Sequence, residues 1–79
     1  MRTTILGKSY KITKVDIEQS LRDIEPEEGK AKYFVEIGGK KYPIKQVLSQ
    51  TLNLAKVAFT SQQAFGILTR LGFKITDTS

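Results

Sequence analysis

The chain has 79 residues, a net charge of +5, 39% hydrophobic and 27% charged residues, and neither cysteine nor histidine. Those numbers describe one small ordered domain with a thin stability margin. They leave no disulfide staple, no thiolate zinc site and no imidazole proton shuttle, and no apolar run nears the ~20 residues of a membrane span.

Charge is unevenly spread. Residues 1–15 carry Arg2, Lys8, Lys11 and Lys14 without an acid, residues 16–28 carry six acids against Arg22, and residues 30–74 carry eight basic residues against Glu36. Such a polarised chain orients in the field of a polyanion. The N-terminus has charge but no long apolar core, so no signal peptide is expected and the default compartment is cytoplasmic.

Residues 1–12 read as an extension or a short hairpin about Gly7-Lys8. Thr13 with Asp16 has capping-box spacing, and Ile17, Leu21 and Ile24 then form one helical stripe, with Val15 at its edge and Pro26 as the stop. In KYFVEI, Tyr33, Val35 and Ile37 alternate with Phe34 and Glu36, as in a strand. Gly38-Gly39 predicts a primed two-residue turn. The register that follows sets Ile37 opposite Lys40, Glu36 opposite Lys41 in a cross-strand ion pair, and Val35 opposite Tyr42. Pro43 ends the strand and opens a helix. Its stripe is Ile44, Val47, Leu48, Thr51 and Leu52, with Lys45, Gln46, Ser49, Gln50 and Asn53 opposite. Residues 53–59 connect to a second capping box, Thr60 with Gln63. The next stripe is Ala64, Phe65, Leu68 and Leu71, with Gly72 as a left-handed cap. Phe73-Lys-Ile-Thr fits a closing strand. The expected fold is α+β: a single domain over residues 13–76 with a tail at 77–79, its helices packed on a small antiparallel sheet.

The combination Thr13/Asp16, Gly39-Lys40-Lys41-Tyr42-Pro43-Ile44-Lys45-Gln46-Val47, Phe59 and Leu71-Gly72-Phe73 resembles the N-terminal head domain of McrA-type HNH restriction endonucleases, which cut modified DNA. The resemblance spans residues 12–75. It departs after Phe59, where Thr60-Ser61-Gln62 stands in place of paired glycines, and no nuclease part is matched. It therefore implies a stand-alone, DNA-associated accessory module and carries over no catalytic residue.

The residues themselves point to a non-catalytic binding role. GGKK lacks the Gly-x4-Gly-Lys-Ser/Thr spacing of a phosphate-cradling P-loop. Without His or Cys, a general base would have to be a carboxylate or lysine, and the acids crowd into one segment. Asp16 and Glu18, at i and i+2, point apart and make no metal pair. No catalytic residue, metal ligand or cofactor is expected. Lys45 in a first helical turn opposes the helix dipole by ~0.3–1 kcal/mol, yet with Lys40 and Lys41 nearby it suits a phosphate. Gln46, Gln62, Thr69 and Arg70 add groups able to read bases or hold the backbone. The aromatics supply a possible stacking platform, though most lie on core stripes, Phe34 excepted. The expected partner is DNA first and RNA second. Ordinary solvated faces, or docking of a protein partner on the acidic segment or an uncovered sheet face, are the competing readings.

Overall fold

In the computed structural model, residues 1–29 and 31–77 are described. The chain opens with an antiparallel ribbon of β1 (Arg2–Ile5) and β2 (Lys8–Lys11). Its turn is Leu6-Gly7, with φ of 53° and 77°, so the hairpin is centred one residue earlier than Gly7-Lys8. Both turn residues are left-handed, as a primed turn matching strand twist requires. Ile5 and Ile12 are fully buried in the main core, which ties residues 1–12 to the domain rather than leaving them an appendage.

Helix α1 (Lys14–Ser20) begins at the expected capping box: the Asp16 amide donates to Thr13 Oγ1 (3.1 Å) and the Thr13 amide to Asp16 Oδ2 (3.0 Å). It ends at Ser20, well before Pro26. Ser20 Oγ donates back to the Asp16 carbonyl (2.8 Å), a bond that competes with the ladder. The Tyr42 hydroxyl, from the far side of the core, lies 3.1 Å from the Leu21 carbonyl and 2.6 Å from that of Ile24. Leu21 and Ile24 thus reach the core from a turn, not from a helix.

Strands β3 (Tyr33–Ile37), β4 (Lys40–Pro43) and β5 (Ile75–Asp77) form one antiparallel sheet in the order β4-β3-β5. The register is the expected one, with Val35 opposite Tyr42, Glu36 opposite Lys41 and Ile37 opposite Lys40. Gly38 and Gly39, at φ of 60° and 82°, make the primed turn. Val35, Ile37 and Tyr42 are buried on the inner face. The outer face presents Phe34, Glu36 and Lys41, with Pro43 and Thr76 beside Phe34.

Pro43 is the N-cap of α2 (Ile44–Leu52), which packs against α1, β3, β4 and α3 (Ser61–Arg70) and so forms the hub of the fold. Ile44, Val47 and Leu48 are its buried stripe. A 3-10 turn, Lys56–Ala58, lies in the connector. Phe59 is buried there, while Val57 is 92% exposed. Helix α3 starts at the Thr60–Gln63 capping box. Its buried face is Ala64, Ile67 and Leu68, so Ile67, three residues after Ala64, takes the core place expected of Phe65. Gly72, at φ 94°, closes the helix. Its amide bonds Thr69 O and the Phe73 amide bonds Leu68 O, a paired C-cap that folds Phe73 onto the core. The architecture is α+β, with helices on one face of a small sheet and the N-terminal ribbon added.

Candidate nucleic-acid interface

Lys40, Lys41 and Lys45 do not converge. Lys40 Nζ pairs with Glu25 Oε1 at 2.9 Å, and that hydrogen bond, outweighing desolvation, raises the Lys40 pKa from 10.5. Glu36 and Lys41 stand opposite one another, but the ion pair made by the hairpin is Lys40–Glu25 instead; Lys41 is exposed on the outer sheet face.

Lys45 is the member that faces a concavity. A groove of about 370 Å³ runs between the first turn of α2 and the start of α3, lined by Lys32, Tyr33, Lys45, Lys56 and Ser61 among others. The α2 N-terminus there has no side-chain cap and no acid in its first turn. Glu27 stands at the rim and is paired with Lys56.

Gln46 corrects the sequence reading. It is 5% exposed, a buried part of the groove's wall rather than a free side chain on a solvent face. Its Oε1 accepts from the Glu27 amide (2.8 Å) and its Nε2 donates to the Glu25 carbonyl (2.9 Å). Both halves of the amide are used to fasten the acidic loop over the start of α2, which satisfies them away from water.

Next to the groove, Tyr33 and Phe65 meet edge to face, with centroids 5.2 Å apart and planes at 69°. Lys32 Nζ lies 5.4 Å from the Tyr33 ring centroid, within cation–π range. Phe65 is 39% exposed, the most open aromatic of the chain. These two rings share a hollow with Ser61 and Gln62. Gln62 also borders a second depression with Thr3, Thr4, Gly66 and Arg70. The three concavities share lining residues, Tyr33 and Ser61 between the first two and Gln62 between the last two, in the order lysines, two aromatic rings, then Gln62 and Arg70. Gln62 and Arg70 fall on this track as expected of α3. Thr69 is exposed but off it, with its hydroxyl donating to the Phe65 carbonyl at 2.7 Å.

Lys32, Lys56 and Ser61 were not singled out by the sequence, and Tyr33 only as one aromatic of a possible stacking platform. Tyr33 shares the core parity of Val35 and Ile37, but is only half-buried, with its ring against Phe65 of α3. Lys32 and Lys56 sit in loops, whose placement no periodicity encodes. Among the described residues no group of His, Cys, Asp or Glu is arranged to hold a metal ion, and no helix is long and apolar enough to cross a membrane.

Fold and site together define a small α+β domain with neighbouring surface hollows lined by Lys32, Lys45, Tyr33, Phe65, Gln62 and Arg70. By its match to the family model over residues 1–79, the chain belongs to the SCO5918-like family. No curated protein and no solved structure matches it.

Proposed function

We propose that this chain is a small, non-catalytic nucleic-acid-binding module that holds phosphates along the α2–α3 track. The observation that carries the reading is the run of Lys32 and Lys45, then Tyr33–Phe65, then Gln62 and Arg70, along neighbouring concavities that share lining residues. Lysines and Arg70 neutralise backbone charge and release counterions. Phe65 offers a face for a base, an interaction worth roughly 1–3 kcal/mol. Gly66, without a side chain, lets a strand approach α3 closely. The groove, at about 370 Å³, is at the small end of ligand clefts and suits one nucleotide of a longer chain. DNA is favoured over RNA on the resemblance to McrA-type head domains. The residues that carry that resemblance have structural roles here: Tyr42 anchors the end of α1 and Gly72 caps α3. The support it lends is accordingly architectural.

The test is binding of fluorescently labelled single- and double-stranded oligonucleotides by three variants. Lys45→Glu and Arg70→Glu should each weaken binding to all sequences alike, and Phe65→Ala should weaken single-strand binding by roughly thirtyfold, the middle of the stacking range. Variants that bind like the wild type would remove the track from the account.

A second reading, docking of a protein partner, is favoured by the outer sheet face, where half-buried Phe34 and Pro43 and exposed Thr76 lie side by side. A stoichiometric partner recovered in pull-downs after nuclease treatment, and lost in Phe34→Lys, would favour it.

A further inference from the structure

The β1–β2 ribbon contains a pairing that works against its own stability. Arg2 and Lys11 are register partners. Met1 and Ile12, the adjacent pair, exchange both backbone bonds, Ile12 N to Met1 O at 2.8 Å and Met1 N to Ile12 O at 3.0 Å. By the alternation of antiparallel ladders, Arg2 and Lys11 then occupy a non-hydrogen-bonded pair, the closer kind, with Cα atoms ~4.5 Å apart. Like charges directly opposite in such a pair repel. Neither side chain is ion-paired with a described residue. Asp16, which borders a depression with Lys11, has its carboxylate engaged by the Thr13 amide.

The next pair on the same face, two residues along each strand, is Thr4 with Ser9. It is again a non-hydrogen-bonded pair by the same alternation, and all four side chains are exposed. Two cations and two hydroxyls thus stand together on one face of a two-stranded ribbon. Of the other early cations, Lys14 sits over the Phe73 ring at 5.1 Å, and Lys8 lies on the opposite face, paired with Ile5. Thr4, with Thr3 of the opposite face, also borders the depression that holds Gln62 and Arg70, so the β1 strand adjoins the end of the α3 track.

We infer that the outer face of the β1–β2 ribbon is a phosphate clamp, in which Arg2 and Lys11 share a backbone phosphate of the bound nucleic acid with hydrogen bonds from Thr4 and Ser9. The inference rests on the nucleic-acid reading and extends it from the α2–α3 track to the N-terminal ribbon. A bound anion turns the repulsive pair into a bridged one, and a guanidinium beside an ammonium suits an oxygen-rich anion. A two-stranded ribbon also has the dimensions to approach a duplex groove.

The experiment compares wild type, the double variant Arg2→Thr with Lys11→Thr, and a track variant, Lys45→Glu, in melting temperature and in salt-titrated oligonucleotide binding. The ribbon variant should melt higher than wild type without nucleic acid, because the repulsion is gone and threonine suits a strand. Its slope of log affinity against log salt should be shallower by roughly 0.7 to 0.9, the loss of one phosphate contact. Lys11→Thr alone should move both readouts in the same directions. An unchanged slope in the ribbon variants, with a shallower one in Lys45→Glu, would overturn the clamp and leave the track reading standing. No binding by the wild type at low salt would overturn both.

Discussion

Gln46 takes a polar side chain into the interior at the third position of α2, and the loop at residues 25–27 closes over it. Replacing it by alanine strands the Glu27 amide and the Glu25 carbonyl, both bonded to it now. Gln46→Ala should cost about 1–3 kcal/mol in urea unfolding, far more than a surface glutamine would. Leu6 is the converse case: a leucine 78% exposed and held at φ 53°, where an L-residue is penalised by about 1–2 kcal/mol. Leu6→Asn creates the Asn-Gly pair that primed turns favour and should raise stability by about 1 kcal/mol, or roughly 4–8 °C in Tm for a domain of this size. At this scale the sequence was least informative about contacts between distant segments. A glutamine between Lys45 and Val47 has the periodicity of a solvent face, and nothing local announces a loop from nearly twenty residues upstream. That Lys40 pairs with Glu25, while the expected Glu36–Lys41 ion pair is not made, has the same reason.

Elements were legible wherever their ends are chemically marked. The capping boxes at Thr13 and Thr60, the Gly38-Gly39 turn and the Gly72 cap rest on local rules, and each holds in the structure. Register followed because a two-residue turn leaves the strands no freedom to slip. Element ends without such marks were not legible. Helix α1 ends at Ser20, with Tyr42 of β4 bonding the Leu21 and Ile24 carbonyls beyond it, and Pro26 only lies downstream. On α3 the choice between Phe65 and Ile67 turned on one step of helical phase, and the structure sends the aromatic outward beside Tyr33. That shift changes a supposed core ring into the centre of the track. Two substitutions check these ends. Gly72→Ala meets nothing within 4 Å of an added Cβ, so its cost is conformational, about 1–3 kcal/mol for an L-residue held at a left-handed φ. Thr60→Ala, which removes half of a capping box, should cost about 0.5–2 kcal/mol. Both are read from denaturant midpoints at constant m-value.

Over the whole molecule, charge is sorted by the fold more sharply than by the sequence. Lys40 and Lys56 are tied to the acidic segment through Glu25 and Glu27, while Lys45, Arg70, Arg2 and Lys11 face the track or the ribbon beside it. The Lys40 pair belongs to stability rather than binding. Since hydrogen bonding to Glu25 raises the lysine pKa from 10.5, its contribution is whole below that value and is lost as pH climbs through the raised one. The difference in stability between wild type and Lys40→Gln should therefore hold steady from about pH 6 to about pH 9 and shrink only in stronger alkali. The central claim, that this surface is built for a polyanion, is tested most directly by titrating wild-type binding of a labelled oligonucleotide across salt concentrations. Three or four phosphate contacts along track and ribbon predict a linear loss of log affinity with log salt, with a slope of roughly 2 to 4. Affinity that ignores salt, or no binding at low ionic strength to any single- or double-stranded oligonucleotide, would contradict it.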